Sequence, residues 1–297
     1  ANPFDAIAGV AKSINTYGVN QSQLSVMFTN DLQGKVNAAY KDFGGLDHLR
    51  NTILKEEISS LLFDAGGFLE TGQSKTQQLQ GIAIMNKINY HGVNLSAADL
   101  SKGIESFAEL LPYINFQLLS SNYHFENPLL RRAVKPYQIL KYGKFKVGVT
   151  AVGEEANITG LTVSNAQTAL NRVSRLLKEK HQCDIVICLA HLGFKGNAKI
   201  NNKRLAQLST GVDWVIGGNA PLDNSNLWVF KNSLKNDVLL SANLGKGLST
   251  AKVAFAFNNQ NKKNGLAFIQ HVPGANKVQS KQQIRAALAV QKNSINS

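Results

Sequence analysis

The feature that most constrains this chain is a recurring unit: a short apolar run that breaks into a loop bearing glycine, aspartate, asparagine or histidine. Residues 24–29 (LSVMFT) run into Asn30-Asp31, 61–63 (LLF) into Asp64-Ala65-Gly66-Gly67, 185–190 (IVICLA) into His191-Leu192-Gly193, and 212–216 into Gly217-Gly218-Asn219. Runs of four to eight apolar residues suit strands buried on both faces. Between them lie segments with helical spacing: 46–57, 75–88, 104–111 and 166–180, the last carrying Leu170, Val173, Leu176 and Leu177 on one face. Strands are also expected at 116–120, in a hairpin of 137–141 with 146–152, and at 226–230, 237–241, 248–257 and 266–272, with a closing helix near 281–292. Strands alternating with helices predict an α/β fold, in which ligands gather at the loops beyond the strand ends.

No fixed repeat or Pro/Gly/Ser-rich linker divides the chain. Residues 1–22 read as an N-terminal arm and 23–297 as a single domain. No apolar stretch reaches the roughly 18 residues that suggest a membrane-spanning helix. The formal charge is +13, but the basic residues are dispersed and not interleaved with aromatics, which argues against nucleic acid as partner. Cys183 and Cys188, read as five positions apart on one strand, are expected to behave as core hydrophobes that cannot pair. The opening ANPFDAIAG is small and mildly apolar, like the tail of an export signal, so an exported, periplasmic protein is expected.

Read in order, the strand-end loops resemble the calcineurin-like metallophosphoesterases, and among them the N-terminal catalytic domain of 5′-nucleotidases. The segments that carry the resemblance are 24–36 (LSVMFTNDLQGKV), Gly44-Gly45-Leu46, 61–68 (LLFDAGGF), 135–153 (KPYQILKYGKFKVGVTAVG), 184–193 (DIVICLAHLG), 211–221 (GVDWVIGGNAP) and, loosely, 244–248. The resemblance implies a four-layer α/β/β/α sandwich of two mixed sheets flanked by helices. It also implies two divalent metals roughly 3.5–4 Å apart, held by carboxylates, imidazoles and an amide, that activate water.

Residue by residue, the carry-over is thin. Asp31 and His191 match family ligands. At the other ligand positions stand Gln33 for a histidine, Gly67 for the bridging aspartate, Ala97 for the asparagine, and Asn219 and Pro221 for a pair of histidines. Ala98 occupies the place of the leaving-group histidine and Ser101 that of the aspartate orienting it. Glycine, alanine and proline offer no side-chain ligand, and neutral amides are poor ligands for transition metals. No metal cofactor is therefore expected; the alternative is a single Mn, Zn or Mg ion on Asp31 and His191. Asp31 also suits a turn cap, and His191 a satisfied core histidine. Gly66-Gly67 and Gly217-Gly218 serve tight turns, or bind an anion through backbone N–H groups.

Three functions follow as expectations: a non-catalytic pseudoenzyme with a binding or scaffolding role, a weak one-metal phosphomonoesterase, or a basic polyanion binder. The resemblance further implies that the nucleotide-recognition domain found C-terminal in 5′-nucleotidases is absent from these 297 residues, so a separate chain carrying that domain is an expected partner.

Overall fold

A computed structural model describes residues 12–14, 22–39, 43–56, 60–194, 200–220, 226–260, 263–271 and 273. Along the first half run β1 (Lys12–Ile14), β2 (Gln23–Thr29), α1 (Leu46–Leu54), β3 (Leu61–Asp64), α2 (Lys75–Ile88), β4 (Gly92–Asn94), α3 (Ile104–Ala108), β5 (Leu118–Leu119), β6 (Tyr123–Phe125), α4 (Pro128–Ala133) and β7 (Val134–Lys135). The second half holds β8 (Tyr137–Tyr142), β9 (Phe145–Gly153), β10 (Leu161–Val163), α5 (Ala166–Arg175), β11 (Ile185–His191), α6 (Asn202–Leu208), β12 (Trp214–Gly217), β13 (Asn226–Lys231), β14 (Asp237–Ala242), β15 (Thr250–Phe257) and β16 (Lys263–His271).

Two seven-stranded sheets result, ordered β1-β8-β9-β11-β12-β14-β13 and β16-β15-β2-β3-β4-β5-β7, with β6 and β10 as a separate pair. Both are mixed. β2, β3, β4, β5 and β7 run parallel while β15 opposes β2, and β9, β11, β12 and β14 run parallel while β8 opposes β9.

Strand alternation sorts the core into layers. Leu24, Val26 and Phe28 of β2 meet Ile185, Ile187 and Leu189 of β11 between the sheets. Trp214, fully buried, sits there edge-on to Phe28 and Phe255, with ring centroids 5.3 and 5.6 Å away, and its indole N–H donates to Ser241 Oγ at 2.9 Å. Met27 and Leu62 point the other way, onto residues of α1 and α2. Cys188 and Val215 likewise point outward onto α5 and α6. The architecture is therefore helix, sheet, sheet, helix. Both cysteines are free and buried. Cys183 precedes β11 rather than lying on it, and the two thiols occupy separate clusters.

α2 starts and stops as read, with Ser74 and Gln77 forming a reciprocal cap and Asn89 closing the end in a left-handed turn. Other readings need correction. Three residues of the expected arm, 12–14, add a parallel strand beside β8. The helix read as 166–180 is α-helical only to Arg175 and widens into a π-turn over Leu176–Lys180. α4 and α6 were not anticipated, although each has an asparagine cap, Asn127 followed by Pro128 and Asn201 bonded to the Arg204 N–H. The helix expected near 281–292 and most of residues 1–22 lie outside the described residues.

Candidate functional site

The parallel strands of both sheets deliver their carboxyl ends to one edge, where the loops after β2, β3, β4, β9, β11 and β12 converge. A cavity of about 330 Å³ opens there. Of the residues singled out from sequence, Asp31, Gln33, Gly67, Ala98, His191 and Asn219 line it. Ala97 does not: it is half-buried and packs against the core outside the β2 sheet. Ser101 is exposed and away from the cavity. Pro221 lies outside the described residues. Leu69, Glu70 and Thr71, which the sequence did not flag, complete the described wall.

The cavity floor is fixed by backbone bonding between the loops after β2 and β3. The N–H groups of Asp31, Gln33 and Gly34 donate to the carbonyls of Gly66, Gly67 and Phe68 at 2.9, 2.8 and 2.6 Å. Asp99, fully enclosed, clasps the second loop by accepting from the N–H groups of Gly67, Leu69 and Ser96 and from Ser96 Oγ. Asn94 at the end of β4 reaches across to the other sheet, donating to Val152 O at 2.9 Å and to Ala65 O at 3.1 Å.

At the centre is a three-residue bridge. His191 Nε2 lies 2.8 Å from Asp31 Oδ1, and His191 Nδ1 lies 3.1 Å from Glu154 Oε2. Asp31 comes from one sheet, His191 and Glu154 from the other. Asp31 Oδ1 also accepts from the Asn219 N–H (3.0 Å), while Oδ2 accepts from Asn30 Nδ2 (2.7 Å) and the Ala220 N–H (3.3 Å). The carboxylate thus has four donors for about four lone-pair sites. Each ring nitrogen of His191 faces a carboxylate, which accepts only, so both nitrogens donate and the ring is an imidazolium. Burial opposes that charge, but bonding and attraction from Asp31 and Glu154 outweigh it and raise the His191 pKa well above the ordinary histidine value. Burial also opposes charge on Asp31, and the bonds from His191, Asn30 and the Asn219 N–H outweigh it, lowering its pKa. Glu154 was missed in the sequence; its signal is a carboxylate directly after the long buried strand β9.

The glycines have packing roles. Gly218 lies against the His191 ring, where a Cβ would come 2.5 Å from Cδ2. Three of the four glycines read as a possible anion site have acceptors for their N–H groups inside the protein. Gly66 donates to Asp64, Gly67 to Ser96 and Asp99, and Gly218 to Ala190 O. Gly217 ends β12 in register with Ala190 of β11.

A metal is poorly matched to this arrangement. A histidine ligand needs a free lone pair, and His191 has none while bracketed by two carboxylates. Asp31 has no oxygen lone pair left over. Among the described residues, no group of three or more His, Cys, Asp or Glu is placed to hold a metal ion.

Beneath the cavity, Thr29 Oγ1 donates to Asp64 Oδ2 at 2.6 Å, which leaves Tyr90 O–H as the donor to Thr29 at 2.7 Å. Burial pushes the Asp64 carboxyl from 3.8 up to about 7. Between those values the folded chain holds a proton that the unfolded chain has released, so stability falls as pH rises from about 4 to about 7. The contribution is on the order of a few kcal/mol. Asp64→Asn is expected to flatten this slope in urea unfolding at pH 5 and pH 8. Identical pH dependence in both proteins would count against a buried, proton-holding Asp64.

Two mixed sheets packed face to face, helices outside and a polar cleft at the shared strand ends define the calcineurin-like metallophosphoesterase fold, in the form taken by the N-terminal domain of 5′-nucleotidases. The chain superposes on a 5′-nucleotidase precursor of Thermus thermophilus with TM-score 0.71 and 19% identity, over 92% of this chain and 59% of that one. The NAD nucleotidase of Haemophilus influenzae gives TM-score 0.72 and 18% identity, over 91% and 56%. A calcineurin-like phosphoesterase of Bacillus subtilis gives 0.63 and 16%, over 92% and 97%. In sequence, a 5′-nucleotidase of Vibrio cholerae is a homologue, 25% identical over 195 residues, which are 60% of this chain and 35% of that protein. The chain thus spans about a third of this curated relative. No protein-family model matches the chain.

Proposed function

We propose that this chain is a catalytically silent 5′-nucleotidase-like metallophosphoesterase domain, with a binding or scaffolding role at its strand-end cleft. The observation that carries the reading is the Asp31–His191–Glu154 bridge: the two side chains that match family ligands are committed to each other and to Glu154. At Gly67 and Ala98, the bridging carboxylate and the leaving-group acid of the family pattern have no counterpart, so neither charge stabilisation nor proton transfer is supplied. The one-metal phosphomonoesterase would require His191 to surrender a proton and Asp31 to break hydrogen bonds, and no observation favours it.

Elemental analysis of the purified chain, with phosphatase assays on AMP and p-nitrophenyl phosphate in Mn²⁺, Zn²⁺ or Mg²⁺, tests the reading. The expected result is less than one metal per ten chains and turnover indistinguishable from buffer. Metal-dependent hydrolysis abolished by Asp31→Ala would sink it. We further propose an exported protein whose cleft works together with a nucleotidase-type C-terminal domain. No helix among the described residues is long and apolar enough to cross a membrane. Fractionation of the producing cells, with the size and composition of the purified protein, checks both proposals.

A further inference from the structure

Among the described residues, seven non-glycine residues adopt a left-handed backbone, and three of them, Asp31 (φ 54°), Gln33 (φ 52°) and Asn219 (φ 52°), line this one cavity. Each such residue costs on the order of 1 kcal/mol. For Asp31 the outcome is the bridge to His191. The backbone N–H groups of Gln33 and Asn219 donate to Gly67 O and Asp31 Oδ1, while their side chains, like that of Thr71, make no hydrogen bond to any described residue. Two amides and a hydroxyl, Asn219 and Thr71 exposed and Gln33 half-buried, therefore line the cavity with no protein hydrogen-bond partner among the described residues.

The charges around them are as informative. The chain carries 32 lysines and arginines, yet among the described residues none lines the cavity. His191 is already neutralised by two carboxylates, and the N–H groups of Gly66, Gly67, Gly218, Asn219 and Ala220 donate to protein oxygens. The rim adds Glu70, a further negative charge. Among the described residues a phosphate entering here would meet a carboxylate and no unengaged cation, with desolvation uncompensated.

We infer that the cavity binds an uncharged, hydroxyl-rich small molecule of monosaccharide or polyol size, held by the side-chain amides of Gln33 and Asn219, and that it rejects phosphate esters. Amides pair well with hydroxyls because each offers both a donor and an acceptor. Glu70 and Thr71 can accept from further hydroxyls. The volume of about 330 Å³ is at the small end of ligand pockets. This inference rests on the silent-site reading and names the ligand class for the same cleft.

The test is calorimetry and thermal shift on the full chain in EDTA, with glycerol, ribose, glucose and myo-inositol as uncharged probes. Ribose 5-phosphate, glucose 6-phosphate and inorganic phosphate are the charged comparators. At least one uncharged probe is expected to bind at about 10 mM or below, with its phosphate ester weaker by roughly tenfold or more. Gln33→Ala and Asn219→Ala should each weaken that binding by roughly fivefold, the scale of one lost neutral hydrogen bond. The unfolding midpoint of Gln33→Ala should match the parent's within error, and that of Asn219→Ala should fall by the equivalent of about 1 kcal/mol or less, because alanine tolerates φ 52° less well than asparagine. Tighter binding of the phosphate esters, binding indifferent to both substitutions, or no binding of any uncharged probe at that concentration overturns the inference. A phosphate ester bound in EDTA as tightly as its uncharged parent defeats it while leaving the silent-site reading intact; one hydrolysed after Mn²⁺ is added defeats that reading as well.

Discussion

His191→Ala is expected to destabilise the fold by about 3–5 kcal/mol, the range for removing one partner of a buried charge pair. His191 has a side-chain exposure of 4% and is bonded to Asp31, at 14%, and Glu154, at 26%. Without the ring, two carboxylates face each other across a void with no cation between them. Asp31 keeps its bonds from Asn30, Asn219 and Ala220, so the damage concentrates on charge and packing rather than on loop geometry. Glu154→Gln retains the ring and one carboxylate, and a smaller loss of about 1–2 kcal/mol is expected. Urea unfolding at pH 7 measures both. A His191→Ala midpoint equal to the parent's would show that the bridge contributes nothing and that the site was built differently.

Gly67→Asp is the second large effect, because it restores the carboxylate that the family pattern puts at that position. It is expected to destabilise by about 3 kcal/mol or more without creating a metal site. Gly67 has φ 72°, a conformation costing about 1–2 kcal/mol for an L side chain. Its Cβ would stand 2.9 Å from Asp31 Oδ1 and 2.9 Å from His191 Nε2, the atoms that already bond each other. Asp31 cannot swing aside without losing its other three donors. Loss of midpoint with no bound Mn²⁺ or Zn²⁺ is the anticipated result. A stable Gly67→Asp protein holding two metals per chain would mean that the bridge yields readily, and the proposed function would fail with it.

Much of the fold was legible because it rests on local pattern. β2, β3, β11 and β12 announced themselves as apolar runs, and α2 as a helix between Ser74 and Asn89. Motif order then placed Asp31 and His191 at one edge although 160 positions separate them. Other features are tertiary in origin and left no local trace. Glu154 sits in a polar loop, and only the register of β9 beside β11 carries it to His191. α6 is seven residues long, too short for a persuasive period, and its asparagine cap was the available clue. Ala97 and Ser101 were positioned by motif spacing, but the turn after Ser96 presents only Ala98 to the cavity. Gly217 and Gly218 look in sequence like an anion nest; the contacts assign Gly218 to clearance for an imidazole ring.

The bonds that the Asn219 and Ala220 N–H groups make to the Asp31 carboxylate also bear on amide exchange at the mouth of the cleft. These two amides belong to the loop after β12, yet their acceptor stands on the loop after β2 in the opposite sheet. Surface loops ordinarily exchange their amide hydrogens through local fraying. Here exchange first requires the loop to leave a carboxylate on the opposite sheet, so slowed deuterium uptake at these two amides reports how firmly the two sides of the cleft hold each other.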